Sequence, residues 1–459
     1  MFFPRGGSAH VLRSLAMRLP DEGWDVTIVS GSRRDCGGHG DASRFYRGLD
    51  VHEVDFSAAL AAADPLDPPD SAPPMHPSFE DRRDAPDRVF ASLDDRAFRR
   101  QVDAWARALA DAGAADADVL HLHHLTPINE AARRVAPGVP VVGHLHGTEL
   151  LMLERIADGA PESWAHAERW AERMRAWAQA CTRLVLLSDT QLDRARDLLG
   201  IDPACCTVVG NGYDPDLFHA EEREADRAEV WRRTLVDAPR GWRPGGEEGS
   251  VTYAAEDIAS LSTEPVLLYV GRFTEVKRVG LLIAAHARAE LSAPLVLVGG
   301  HPGEWEGEHP LEVVERTGAR NVFLAGWHDH EELPELLHAA DALVLPSVRE
   351  QFGQVLVEAM ACGLPCVAVD RYGPAHIVRD GETGWLVEPD DEAALAAALR
   401  QVAEDAGERR RRGDAALHDA RERFSWPALT GELSEVLEDA VRGADRTDSP
   451  ETQPLQTAS

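Results

Sequence analysis

The amino-acid sequence predicts an α/β protein built from two doubly wound parallel-sheet domains. Three observations carry that expectation. Short apolar, β-branched runs recur along the chain, helix-length stretches separate them, and the runs fall into two series divided by a charged, Gly- and Pro-rich segment. Continuous apolar runs of this length mark strands buried on both faces, as a parallel sheet covered by helices requires. A chain of 459 residues exceeds one ordinary core and suits two domains of roughly 200 residues each.

The first series of predicted strands is Val26–Val29, Val119–His123, Val141–His146 and Leu184–Leu187. Ser188 ahead of 189–199 and Gly200 after it predict a helix capped at both ends. The second series is Val266–Val270, Leu295–Val298, Val322–Leu324, Ala342–Leu345 and Cys366–Val369. Residues 1–218 thus form the first expected domain and 263–425 the second. The segment between them, 219–262, reads as an interdomain insertion or hinge with one helix around 223–235. Residues 63–86, rich in Pro and Asp, are expected as a long surface loop. A helix over 426–442 is expected to cross back to the first domain, and 443–459 to be a disordered tail. Two such domains imply a cleft, with ligands outside the carboxyl ends of the strands.

Composition narrows the function. A net charge of −32 disfavours nucleic acid and strongly anionic membranes as partners. No run approaches the roughly 20 apolar residues of an integral membrane segment, and the N-terminus lacks the basic-then-apolar layout of a secretory signal. The six cysteines form no CxxC pair, which reads as reduced thiols in a cytoplasmic protein. No feature specifies an oligomeric state. Basic residues are almost all arginine, and Lys277 is the chain's one lysine.

Two segments carry chemistry. Gly271-Arg272-Phe273-Thr274-Glu275-Val276-Lys277 follows a predicted strand directly. Gly271 permits a tight turn, and Arg272 and Lys277 then stand near a helix start that already favours anions. A planar guanidinium fork and a compact ammonium together suit a diphosphate, although a solvated basic helix start has the same residues. The second segment runs from Pro346 through Glu350 and Glu358 to Gly363. Glu350 lies in a loop after a strand, and Glu358 lies inside the helix that begins near Gly353. Carboxylates accept well from sugar hydroxyls, and free N–H groups at Phe352, Gly353 and Gln354 can meet phosphate.

The Glu350–Glu358 pair resembles the E-x7-E motif of family-4 retaining glycosyltransferases of the GT-B fold. Gly271-Arg272 with Lys277 is similar to that family's donor-diphosphate motif, and Gly6-Gly7 to its N-terminal glycine loop. His146-Gly147-Thr148 resembles its active-site His-Gly turn, and Asn211-Gly212-Tyr213-Asp214 its turn leading to the hinge. These matches stand in family order along nearly the whole chain.

The resemblance implies roles. Arg272 and Lys277 would stabilise the departing diphosphate, with Gly6, Gly7 and Gly271 letting backbone approach it. Glu350 would contact the donor sugar and Glu358 the ribose hydroxyls. Backbone near His328 would line the base, and His146 would sit beside the reacting centre. The implied partners are a nucleotide-sugar donor, UDP- or GDP-linked, and a small-molecule or glycan acceptor. The implied reaction retains the anomeric configuration without a cofactor or metal. A glycosyl phosphorylase or a sucrose/trehalose-type synthase on the same scaffold, and a non-enzymatic nucleotide-sugar binder, are the competing readings.

Two metal signals are set aside. His121, His123, His124, His144 and His146 are expected as strand-end histidines rather than ligands. Asp116-Ala117-Asp118 and Asp214-Pro215-Asp216 match a D-x-D string that so acidic a chain produces by chance. One departure from the family stands out: it normally begins with a full apolar strand, and here only Phe2-Phe3 stand apolar before Pro4. Either the true start lies upstream or the first sheet lacks most of a central strand.

Overall fold

The computed structural model describes residues 1–4, 6–34, 40–69, 72–79, 88–220 and 226–448, with side chains through residue 443. Cys36 and parts of the two expected loop regions lie outside the described residues. The chain divides into two compact units, Met1–Gly210 with Leu429–Ser459, and Asn211–Ala428.

Among its described residues the first unit holds six parallel strands: β1 (Thr27–Ser32), β2 (Asp50–Asp55), β3 (Leu120–His123), β4 (Val141–His144), β5 (Arg183–Leu186) and β6 (Cys206–Val208). They form two separate sheets, β1-β2 and β3-β4-β5-β6. Strand β2 was not expected, because Asp-Val-His-Glu-Val-Asp is polar; only Val54 on it is buried. Helices Asp95–Asp111 and Pro127–Val135 pack together over an apolar cluster that includes Trp105, Leu122 and Ile128. A second cluster gathers Phe90, Trp170, Trp177 and Leu184, with Phe90 and Trp170 stacked at 4.8 Å.

Four local expectations change. The helix after Ser188 is a short 3-10 turn, Asp189–Gln191, followed by Leu192–Leu199. Ser188 makes no cap; its hydroxyl bonds Thr190 instead. Gly200, at φ 65°, does close the helix. The described part of the expected surface loop is packed inward, with Met75, His76 and Phe79 buried. The terminal helix spans Trp426–Asp448, so 443–448 continue it; 449–459 lie outside the described residues.

The second unit contains one continuous sheet in the order β12-β11-β10-β7-β8-β9. Its strands are β7 (Leu267–Val270), β8 (Leu295–Val298), β9 (Val322–Gly326), β10 (Ala342–Leu345), β11 (Cys366–Val369) and β12 (Gly384–Val387). Strands β8, β10 and β11 are buried at every residue. This is the doubly wound order, with the reversal of direction between β7 and β10. The described part of the expected insertion packs within this unit. Its helix Arg227–Arg232, capped by Asp226, continues into a π-helical turn, and Trp231, Leu235 and Trp242 are fully buried. Gly241 is needed there: a Cβ would meet the Leu324 carbonyl at 2.3 Å.

Candidate active site

In the second unit, the site grows from the carboxyl ends of β7 and β10, at the point where strand order reverses. Chain leaves β7 through Gly271, whose φ of 159° and hydrogen bond to Val298 carry the backbone over β8. The buried Tyr269 hydroxyl donates to the Arg272 carbonyl at 2.8 Å and fixes the turn. Burial first, and the charge of Glu350 second, raise the pKa of this phenol, so it stays a neutral donor. The loop after β10 is tied to the same turn, because Val348 N–H donates to the Val276 carbonyl at 2.9 Å and Ser347 Oγ at 3.3 Å. That stitching places Lys277 Nζ on Glu350 as a direct ion pair, although 73 residues separate them. Arg272 is exposed.

The helix Gln354–Ala361 begins at Gly353, whose φ of 108° is left-handed backbone suited to glycine. Leu356 and Ala359 pack inward as expected, whereas Val355 is only partly buried. Phe352 is buried and meets Phe424 edge-on at 6.0 Å. Gln354 Nε2 donates to the Gly212 carbonyl at 2.7 Å. Glu358 is buried within the helix and is met by His330 Nε2 at 2.8 Å. Burial opposes the charged imidazole, but the hydrogen bond and charge of Glu358 outweigh it, so the pKa of His330 is raised. Sequence reasoning missed His330, and no local signal marks it; the 28-residue separation is closed by the sheet alone.

His328 occupies a different setting from His330. Its Nδ1 lies 3.4 Å from Arg240 and 3.5 Å from Glu332, and its buried Nε2 has no hydrogen-bond partner. Burial is the main cause of its lowered pKa. Arg240 grips Glu332 through two parallel hydrogen bonds of 2.7 and 2.9 Å, which hold the carboxyl down at about 2. Arg240 comes from the segment expected as an insertion, and it fixes the turn after Gly326. A Cβ at Gly326 would meet the Arg240 carbonyl at 2.1 Å.

In the first unit, Gly6 caps helix Gly7–Arg18 at φ 81°, and Gly7 is its first residue. The expected glycine loop is therefore a helix start. His146 ends the extended stretch after β4, ahead of Gly147 at φ 87°, and is buried. Its Nε2 lies 2.8 Å from His123 Nδ1, and its N–H donates to Glu149 at 3.2 Å. The fully buried Glu149 also meets His124 Nδ1 at 2.5 Å, and His124 Nε2 reaches Ser8 at 2.9 Å. A hydrogen-bonded chain thus runs from the first turn of helix Gly7–Arg18 to His146. Glu149, not singled out in the sequence, is its centre.

His121 Nε2 and His144 Nδ1 are 3.1 Å apart, and His121, His123 and His144 offer nitrogens within 4.8 Å of one another. Those three are the group among the described residues that could hold a metal. Burial lowers His121 to about 4 and takes His123, His144 and His146 well below 6.5, with neighbouring imidazoles adding to the effect on the latter three. All four are neutral near pH 7.

Known proteins resemble this chain in sequence and in fold. Residues 5–217 match the family model for Glycosyltransferase Family 4, and residues 254–419 match that for Glycosyl transferases group 1. A glycogen synthase of Mycobacterium tuberculosis is 30% identical over 428 residues, covering 86% of this chain and 92% of the relative. A D-inositol 3-phosphate glycosyltransferase of Salinispora tropica is 30% identical over 349 residues, 73% of this chain and 66% of the relative. Among solved structures, sucrose-phosphate synthase from Thermosynechococcus elongatus superposes with a TM-score of 0.67 at 20% identity, over 95% of this chain and 94% of that one. Anabaena HepE in complex with UDP and glucose gives 0.62 at 18%, over 95% and 96%. The fold is GT-B, and no helix among the described residues is long and apolar enough to cross a membrane. By its two family matches and its relatives, this chain is a glycosyltransferase and belongs to the group 1 family.

Proposed function

We propose that the enzyme transfers a sugar from a UDP- or GDP-sugar to a hydroxyl of a small molecule or glycan, with retention of anomeric configuration and without a metal. The observation that carries this reading is the Lys277–Glu350 pair beside the Gly271 turn. An ammonium held at a strand-end turn is available to a diphosphate, and the carboxylate next to it is available to sugar hydroxyls. The UDP and UDP-glucose complexes of Anabaena HepE, which has the same fold, support a nucleotide-sugar donor.

As the donor bond breaks, negative charge grows on the leaving diphosphate, and Lys277 and Arg272 stabilise it. Glu350 orients the sugar and Glu358 the ribose. The acceptor hydroxyl attacks from the face that the diphosphate leaves, and a phosphate oxygen takes its proton. Catalysis then consists of positioning and charge stabilisation, with no protein general base. Cysteines 181, 205, 206, 362 and 366 are free thiols, which fits a cytoplasmic enzyme.

The test is a thermal-shift panel of UDP-, GDP- and ADP-sugars run in EDTA, followed by NMR assignment of the product anomer. A bound donor at 100 times its Kd stabilises the native state by ~2.7 kcal/mol, enough to shift Tm by several degrees. The expected result is a shift with a UDP- or GDP-sugar and a product of unchanged configuration. No shift with any donor, or an inverted product, would refute the reading.

A further inference from the structure

Ser8, His124 and Glu149 line up in the first unit, and sugar transfer as proposed leaves them unused. His124 Nδ1 lies 2.5 Å from Glu149 Oε1, and His124 Nε2 lies 2.9 Å from Ser8 Oγ. The three come from separate parts of the chain. Ser8 is in the first turn of helix Gly7–Arg18, His124 follows β3, and Glu149 is in the first turn of helix Thr148–Ala157, after β4. The pairing of β3 with β4 brings the last two together, and His124 N–H donates to the His144 carbonyl at 2.9 Å. Ring nitrogens of His121 and His123 pair with those of His144 and His146, whereas those of His124 go to an acid and a hydroxyl.

Hydroxyl, imidazole and carboxylate in this order, at these distances, are the parts of an activated serine. A carboxylate only accepts, so it draws the imidazole proton to Nδ1 and leaves the Nε2 lone pair for Ser8 Oγ–H. Glu149 is held in turn by His146 N–H, on its other oxygen, at 3.2 Å. Phe2 and Phe79 flank the His124 ring, with centroids at 5.1 and 5.5 Å. The His124 backbone is left-handed at φ 68°, a strain kept where a side chain must be aimed.

Burial is graded as a nucleophile needs. Glu149 is fully buried, His124 is buried, and Ser8 is partly exposed. Gly6 and Gly7 beside it are exposed, and a Cβ built on either meets no atom within 4 Å, which leaves room for a short acyl group. Ala9 and His10 N–H groups close on the Gly6 carbonyl, but Ser8, second in the helix, has a backbone N–H without an intrahelical acceptor. That donor can meet the oxyanion formed when Ser8 Oγ attacks a carbonyl.

We propose that Ser8, His124 and Glu149 act as nucleophile, base and orienting acid in the hydrolysis of small carboxylic esters, an activity separate from sugar transfer. Ser8 Oγ bonds to the ester carbonyl carbon, its proton passes to His124 Nε2, and the C=O electron pair moves onto oxygen. The pair returns, the ester C–O bond breaks, and the alcohol leaves with the proton from Nε2. Water then loses a proton to Nε2 and attacks the acyl-serine. The bond to Oγ breaks, the proton returns to Oγ, and the carboxylic acid departs.

The full-length protein, without nucleotide sugar, tests this with a fluorophosphonate and with 4-nitrophenyl acetate. Peptide mass mapping is expected to place the phosphonyl adduct on Ser8, and the acetate to be turned over. Ser8→Ala should abolish the adduct and lower kcat/KM at least ~10²-fold, with Tm within a few degrees of wild type. In Glu149→Gln the one remaining oxygen is claimed by His146 N–H, so the amide NH₂ faces Nδ1 and forces the proton onto Nε2. Its kcat/KM should fall as far while the melting curve stays cooperative. No adduct on Ser8, an adduct without ester turnover, or wild-type turnover in either variant would overturn the proposal and leave the three groups as an anchor for the helix start.

Discussion

At the carboxyl ends of β3 and β4 the polar groups are imidazoles, buried and neutral; at the ends of β7 and β10 they are a lysine and a glutamate, 19% and 20% exposed. Both sets sit where a parallel sheet presents its ligand-binding edge. The histidine cluster is held together by short contacts with itself and with Glu149. The Lys277–Glu350 pair is open enough to exchange partners with a ligand. One strand end is built to hold a shape, and the other to meet charge.

Replacing the charges should therefore separate function from stability most sharply. Lys277→Ala and Glu350→Ala are each expected to lower kcat by ~10²- to 10³-fold, the loss typical when a group that stabilises developing charge is removed. Because the partner left behind can reach water, Tm should fall by only a few degrees. Steady-state kinetics beside a melting curve reads both. Turnover near wild type in either variant would remove this pair from the mechanism.

The histidine end should respond to acid instead. His121 titrates near 4, and His123, His144 and His146 lie well below 6.5, all depressed by burial. Below pH 6.5 the unfolded chain binds protons that the folded chain refuses, so stability is full above 6.5 and declines as pH falls toward about 4. The drop should reach ~10 °C in Tm between pH 7 and 5. Hydrogen exchange should show β3 and β4 opening before β7 and β10. His123→Phe would flatten part of that slope. Equal loss of protection in both sheets would show that the imidazoles do not set the acid response.

How much of this was legible in the sequence differs between the units for the same physical reason. Strands β7, β8, β10 and β11 are unbroken apolar runs because they are buried on both faces. Strand β2 carries alternating polar residues, β6 is three residues long, and β12 opens on a glycine, so none gave a periodic signal. Lys277 and Glu350 stood out by residue type and motif, but their contact comes from the pairing of β7 with β10. Ser188 had the composition of a cap without the geometry, since its hydroxyl found Thr190 first. Glu149 and His330 matter through partners 25 and 28 residues away, a distance that only the folded sheet closes.

The contrast is least complete at Glu358, a buried carboxylate in the charged unit whose partner is a histidine. In the proposed reading His330 is a positioning residue: its Nε2 lies 2.8 Å from Glu358, the carboxylate proposed to meet the ribose. The pair raises the pKa of His330, so its contribution is fully present at pH values below the ordinary histidine range and is lost as pH rises through the raised value. Donor KM should accordingly climb a few-fold across that upper range while kcat stays nearly constant. In His330→Asn, which keeps a hydrogen-bond donor but cannot titrate, KM should be raised about threefold at low pH and flat with pH; ~0.7 kcal/mol is the corresponding loss. A variant that loses kcat and KM pH dependence together would place His330 in the chemistry. A variant that keeps the wild-type KM profile would leave Glu358 to be oriented by its helix alone.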